Sequence, residues 1–214
     1  MQAVLIYCYD AWCGWCYGFS PVMKEVHKNY NSTLTIEVVS GGMMLPENPI
    51  PVSTISNYVL ESYQGIEEMT GVRFGEDYLW HMRNPEMSDW FPSSEKSAIA
   101  LSVFKDYEPE LQVPFASDLQ YALFYEGRDL TDDEAYRHLI HKYGINESEF
   151  YDKLHSEIYV KKAYDEFTLT QQLQVTGFPQ LMLQLGNDKI YLINRGYSDY
   201  DSIANKINLL IYSN

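Results

Sequence analysis

Trp12-Cys13-Gly14-Trp15-Cys16 follows an apolar stretch, Ala3–Tyr9, and precedes a helical pattern that runs to about Tyr30. The apolar stretch is typical of a buried β-strand. A cysteine pair at such a strand-to-helix junction places the first sulfur over free backbone N–H groups, at the positive end of the helix dipole. That setting stabilises a thiolate, and the second sulfur lies one helical turn away, where it can attack a mixed disulfide. We therefore expect redox chemistry with Cys13 as the nucleophile and Cys16 as the resolving thiol, flanked by Trp12, Gly14 and Trp15 as substrate-contacting residues.

The middle of the chain, from roughly Ile50 to Lys162, is helical in pattern. An alternating strand near Leu34–Val39 comes before it and ends at Gly41-Gly42. We expect at least four helices and no strand in this middle part. Its helix-start signals are Pro92-Ser93-Ser94-Glu95, Pro114, and two stretches with capping-box spacing, Thr131–Glu134 and Asn146–Glu149.

The last part returns to a mixed pattern. A helix around Ala163–Gln174 is followed by two predicted strands, Leu181–Leu185 and Lys189–Ile193, with a hairpin signal at Gly186-Asn187-Asp188. A closing helix fits Asp199–Tyr212. The order βαβ, helices, αββα predicts an α/β fold. Residues 1–48 and 163–214 would form one domain, and residues 49–162 an all-helical insertion domain.

A second candidate for the site is Thr176-Gly177-Phe178-Pro179, directly before a predicted strand. In this position we expect a cis bond between Phe178 and Pro179. Such a bond would aim the peptide groups of Thr176–Phe178 outward, where an extended substrate strand can pair with them.

Composition narrows the function classes. The 214 residues carry a net charge of −15 and show no basic stripe, so we expect no nucleic-acid partner. No apolar run approaches the ~20 residues of a membrane span. Three cysteines cannot form a disulfide framework, and Cys8 lies within the apolar first strand as a buried, inert thiol. With no signal-like start, the protein is expected in the cytoplasm.

The cysteine pair has two alternative uses, a zinc site and a purely structural role. A zinc site needs four ligands, and the nearest candidates, His138 and His141, lie far along the chain on a predicted helix. A purely structural pair is the other alternative. We favour redox chemistry and predict no metal.

The sequence resembles the DsbA family in its cytoplasmic branch, which includes the FrnE-type proteins and the kappa-class glutathione transferases. Three segments carry the resemblance, in the family's order: Trp12–Gly18, the stretch Tyr121–Leu130 that is similar to "AYF-x-EGRDL", and Thr176–Pro179. The resemblance implies a thioredoxin fold interrupted by a helical domain. It also implies disulfide exchange on protein or small thiol substrates, with no cofactor beyond the cysteine pair. Glutathione is a candidate co-substrate, and glutathione or a thioredoxin-type protein a candidate reductant. The oligomeric state stays open.

The sequence also departs from that family. Thioredoxin and DsbA carry an acid six residues before the first cysteine, where this chain has Tyr7. Asp10 and Glu25 are the nearest carboxylates that could assist proton transfer, although a solvated charge is the default expectation for both. DsbA has a histidine between its cysteines; the pair Gly14-Trp15 here argues against a strong oxidant.

Two alternative functions belong to other classes. One is glutathione-dependent transferase or isomerase chemistry of the kappa-class type, against which the retained Cys13 counts, because those relatives typically have serine there. The other is a non-catalytic binding module, in which the aromatic stretch Tyr78–Phe91 would line a hydrophobic groove rather than pack the insertion against the core. The sequence does not indicate the direction of electron flow.

Overall fold

The computed structural model of the protein describes residues 3–186 and 189–212. In chain order the elements are β1 (Ala3–Tyr9), α1 (Gly14–Tyr30), β2 (Thr35–Ser40), α2 (Ser53–Thr70), α3 (Glu76–Arg83), α4 (Glu95–Lys105), α5 (Gln112–Phe124), α6 (Glu134–Lys142), α7 (Glu147–Leu154), α8 (Glu157–Gln172), β3 (Gln180–Leu185), β4 (Lys189–Arg195) and α9 (Tyr200–Tyr212). Within these ranges, no helix combines the length and the apolar character that crossing a membrane requires.

The four strands form one sheet in the order β2-β1-β3-β4. β1 lies inside the sheet and pairs parallel with β2 and antiparallel with β3, while β4 pairs antiparallel with β3. The near-continuous apolar character of β1 follows from this position, because both of its faces are covered. Leu5 and Tyr7 belong to the main hydrophobic core, whereas Ile6 and Cys8 belong to a smaller cluster on the opposite face. The α/β fold predicted from the element order is confirmed.

The middle of the chain is helical, as predicted. Residues 41–156, all of which the structure describes, contain α2 to α7 and a short 3-10 helix at Pro109–Leu111, and no strand. The main hydrophobic core runs without interruption from the sheet into these helices. Tyr17 of α1, for example, stacks on Phe124 of α5 with ring centroids 5.1 Å apart. The division into domains at residues 49 and 162 stays a prediction.

Two helix starts differ from the prediction. α8 begins at Glu157 instead of near Ala163, because the side chain of Ser156 accepts a hydrogen bond from the backbone N–H of Ile158 and caps the helix there. The predicted cap at Thr131 is wrong: the Thr131 hydroxyl donates to Asp129, and α6 begins after Asp133 without a side-chain cap.

Other local signals agree with the structure. The Asn146 side chain accepts from the Glu149 N–H at 3.0 Å and so caps α7, as its spacing predicts. The predicted strands of the last part pair antiparallel as β3 and β4. Asn187 and Asp188, which carry the hairpin signal between them, lie outside the described residues.

A buried lysine joins the insertion to the sheet. The Nζ atom of Lys105 on α4 lies 2.8 Å from a carboxylate oxygen of Glu37 on β2 and 2.7 Å from one of Glu166 on α8, and it also donates to the Val38 carbonyl. Burial by itself lowers the pKa of Lys105, but the charges of Glu166 and Glu37 outweigh it and the pKa is raised. The ammonium therefore stays charged and holds three elements together.

Candidate active site

Cys13 occupies the N-cap position of α1, as the sequence predicts. Its backbone is extended, with φ −85° and ψ 110°, and its sulfur accepts a hydrogen bond from the Cys16 N–H at 3.3 Å. The Cys13 N–H in turn donates to the Asp10 carbonyl at 3.1 Å, which fixes the turn between β1 and α1. A sulfur held in this way faces the unsatisfied N–H groups of the first helical turn, a position that stabilises negative charge.

Cys16 lies behind Cys13 and is fully buried, whereas Cys13 keeps 6% of its surface exposed. Burial raises the pKa of Cys16 well above its ordinary value, and the hydrogen bond and charge of Cys13 raise it further. Both cysteines, like Cys8, are free thiols in this structure. The two thiols of the pair are therefore inequivalent: the outer sulfur lies at the helix start with part of its surface exposed, whereas burial favours the protonated form of the inner one.

The segment before β3 comes directly to Cys13. The Phe178–Pro179 peptide bond is cis, and the Cys13 thiol donates to the Phe178 carbonyl at 3.6 Å. The Phe178 ring covers Gly41, where an added Cβ would lie 2.1 Å from the ring, so only glycine leaves room for it. Thr176 is exposed and Gly177 is half-buried, and their contact with substrate stays a prediction.

Asp10 is not the solvated charge expected from the sequence, since only 2% of it is exposed. Its carboxylate accepts from the N–H of Trp12 at 3.0 Å, the N–H of Met43 at 2.7 Å and the hydroxyl of Ser94 at 2.8 Å. Burial raises the pKa of Asp10, and these hydrogen bonds act in the opposite direction. Asp10 thus ties the turn before Cys13 to the loop after β2 and to the start of α4. Glu25 is exposed, as expected.

Tyr7 on β1 occupies the position, six residues before Cys13, where thioredoxin and DsbA carry an acid. Tyr7 is 2% exposed, and its hydroxyl has no hydrogen-bond partner in the part of the chain that the structure describes. Burial raises the pKa of Tyr7 well above its ordinary value, with further contributions from the charges of Cys16 and Cys13. Tyr7 therefore stays protonated at neutral pH.

An apolar groove opens beside Cys13, with a volume of about 110 Å³. It lies between the start of α1 and one face of α2, and its walls are mainly aromatic and aliphatic. The lining residues are Trp12, Cys13, Gly14, Trp15, Met43, Met44, Ile55, Tyr58, Val59, Ser62, Tyr63, Ile66, Phe74, Tyr78 and Phe124. The two helices approach closely because α1 has glycine where they meet: an added Cβ would lie 3.1 Å from Ile66 at Gly14 and 2.8 Å from Thr70 at Gly18.

The sequence predicts five of these groove residues, namely Trp12, Cys13, Gly14, Trp15 and Tyr78. Of the aromatic stretch Tyr78–Phe91, Tyr78 lines the groove, while Trp90 is buried against Trp12 with ring centroids 6.1 Å apart. The contribution of α2 was missed. Its signal was present in the helical spacing of the apolar positions Ile55, Val59 and Ile66, but spacing does not show which surface such a face covers.

The histidines named as possible zinc ligands have other partners. His138 lies 3.0 Å from Glu126, and His141 lies 3.1 Å from Glu147. Within residues 3–186 and 189–212, no three side chains of the types His, Cys, Asp and Glu are grouped closely enough to hold a metal ion.

The chain is similar to known proteins in sequence and in fold. The model of the DSBA-like thioredoxin domain matches residues 4–208, and no curated protein matches. A candidate protein disulfide isomerase from Nitrosomonas europaea superposes with a TM-score of 0.86 at 23% identity, covering 100% of this chain and 99% of its own. The cytosolic disulfide reductase DsbM from Pseudomonas aeruginosa, also solved with GSH, gives a TM-score of 0.77 at 24% identity and covers 97% and 98% of the two chains.

At these identities the solved structures establish the thioredoxin-like fold with its helical insertion, which the resemblance implied. The family model spans nearly the whole chain, from β1 to the middle of α9, and it includes the cysteine pair and the segment before β3. The chain belongs to the family of DSBA-like thioredoxin domain proteins.

Proposed function

We propose that the protein is a thiol–disulfide oxidoreductase that exchanges disulfides through Cys13 and Cys16. The observation that carries the proposal is the position of the Cys13 sulfur at the N-cap of α1, where it accepts from the Cys16 N–H and is backed by a fully buried Cys16. Membership of the DSBA-like family supports the same reaction class. A cytoplasmic location is part of the proposal, and the fold shared with the cytosolic protein DsbM supports it.

The exchange proceeds in two displacements. The Cys13 thiolate attacks one sulfur of the substrate disulfide, forms a mixed disulfide and releases the other sulfur as a thiolate, which takes up a proton. The Cys16 thiol then loses its proton, attacks the Cys13 sulfur and releases the second substrate thiolate. The cysteine pair loses two electrons and the substrate gains them. An external thiol, for which glutathione and a thioredoxin-type protein are the candidates, returns the electrons, and the reverse sequence oxidises a substrate dithiol.

The resolving step depends on the buried Cys16, because its proton is held more firmly than in water. Formation of the mixed disulfide makes the Cys13 sulfur neutral, and this removes one of the causes of the raised pKa of Cys16. Ionisation of Cys16 therefore becomes easier once the mixed disulfide has formed. Cys16 is therefore expected to attack only after Cys13 has formed the mixed disulfide.

The proposal is tested with a Cys16→Ser variant. Mixed with a model peptide disulfide, this variant is expected to accumulate a stable adduct, because the residue that resolves it has been removed. Peptide mapping by mass spectrometry should place the adduct on Cys13, while the unchanged protein and a Cys8→Ala control accumulate none. An adduct on Cys8, or no adduct with a disulfide that the unchanged protein reduces, contradicts the assignment.

A further inference from the structure

We propose that the groove beside Cys13 is a specificity site for a single uncharged aromatic ring, or an aliphatic group of similar size, attached to the sulfur that Cys13 attacks. The inference rests on the proposed function and names the substrate class of that site. The expected preference is for an apolar group over glutathione, the ligand with which the structural neighbour DsbM has been solved.

The chemistry of the groove lining favours an apolar group next to Cys13. Cys13 itself forms part of the wall, so a group in the groove lies next to the reacting sulfur. Trp15, Phe74 and Tyr78 are aromatic members of the lining, and Ile66 is an aliphatic one. Such walls favour apolar groups because the gain comes from surface removed from water and from ring–ring contacts.

The size of the groove carries the second step. Its volume of about 110 Å³ is of the same order as the roughly 150 Å³ engineered cavity that binds benzene. One ring or one branched aliphatic group therefore fits, with the open side of the groove accommodating the sulfur and the rest of the substrate. Tyr58 and Met43, which are 66% and 45% exposed, stand at this open side.

The absence of charged side chains among the groove residues that the structure describes disfavours glutathione. None of the lining residues in the described part of the chain is Lys, Arg, Asp or Glu. The carboxylates of glutathione would lose water there without gaining a cationic partner, which is costly. The net charge of −15 adds a general repulsion against anionic substrates.

The groove wall is also held in place before substrate binds. The Ser94 hydroxyl accepts from the Met44 N–H at 3.0 Å and donates to Asp10 at 2.8 Å, and the Ser94 N–H donates to the Met44 carbonyl at 2.8 Å. The Met43 N–H is bound by the same carboxylate at 2.7 Å. This network fixes the backbone of both methionines relative to the turn before Cys13, and a preformed site loses less entropy on binding.

The test compares three mixed disulfides of 2-mercaptoethanol, whose second thiol is benzyl mercaptan, glutathione or a second 2-mercaptoethanol. For each compound, the second-order rate constant with which it oxidises the reduced Cys13–Cys16 pair is divided by the rate constant of the same disulfide with free dithiothreitol, which removes differences in intrinsic reactivity. The benzyl compound is expected to exceed both others by at least about tenfold. Equal normalised values, or a preference for glutathione, overturn the groove assignment while leaving the proposed function intact. If none of the three oxidises the Cys13–Cys16 pair, the proposed function is overturned, and this inference with it.

A matched pair of variants on α2 tests whether the groove causes the preference for the benzyl compound. Val59→Phe places a ring inside the groove and is expected to bring the benzyl value down to that of the hydroxyethyl compound. Glu61→Phe adds the same ring at an exposed position of the same helix that does not line the groove, and the benzyl preference should persist. A benzyl preference that survives Val59→Phe places the ring elsewhere and contradicts the inference.

Discussion

Replacement of Cys13 by serine is expected to lower disulfide-exchange turnover at least about 1000-fold, because it removes the only sulfur positioned to attack, and loss of a catalytic nucleophile has effects of that size or larger. A serine hydroxyl at the same N-cap still accepts from the Cys16 N–H, so the start of α1 should be preserved. Cys16 cannot take over the attack, since it is fully buried and burial raises its pKa.

The matched control is Cys8→Ala. Cys8 is fully buried on the face of β1 opposite to Tyr7. Burial raises the pKa of Cys8 to about 12, so this residue supplies no thiolate at neutral pH. Turnover of this variant should stay close to that of the unchanged protein. The rate at which free thiol appears from a peptide disulfide measures the turnover of both variants. A Cys13→Ser protein that keeps a tenth or more of the normal rate contradicts the mechanism.

Lys105→Ala is expected to lower the free energy of unfolding by about 3 kcal/mol, the scale for removing one partner of a buried ion pair. The variant leaves Glu166 with 16% of its side chain exposed and no ammonium beside it, and it frees the Val38 carbonyl. Urea unfolding followed by tryptophan fluorescence gives the change.

Lys161→Ala serves as the comparison for Lys105→Ala. Lys161 is 76% exposed and pairs with Asp165 across one turn of α8, so its removal should cost no more than about 0.5 kcal/mol. If the two variants lose equal stability, the Lys105 network does not hold the helical part to the sheet in the way described.

The local part of the site could be predicted from the sequence. The apolar run Ala3–Tyr9 and the helix that begins after Cys13 are signalled by neighbouring residues, and the structure places both within the predicted bounds. The position of Phe178 beside Cys13 required more, because 165 residues separate the two. The prediction rested on the place of Phe178-Pro179 directly before a predicted strand, and the resemblance to a known family supported it.

The parts that could not be predicted depend on contacts between distant segments. The three donors that hold Asp10 include Met43 and Ser94, which lie 33 and 84 residues further along the chain. A carboxylate with such partners has the same sequence signal as a solvated one. The α2 wall of the groove was not predicted for the same reason, since α2 shows an apolar face but nothing in its sequence pairs that face with Cys13. The start of α8 was misplaced because Ser156 provides a cap without a capping-box acid.

The most direct test of the central claim is to equilibrate the protein in graded glutathione buffers, alkylate the free thiols, and locate the labels by mass spectrometry. The account predicts one two-electron transition in which Cys13 and Cys16 lose their labels together, with Cys8 labelled only after unfolding. A pair that keeps two free thiols at every buffer ratio, or that yields only a stable glutathione adduct on Cys13, would contradict the account.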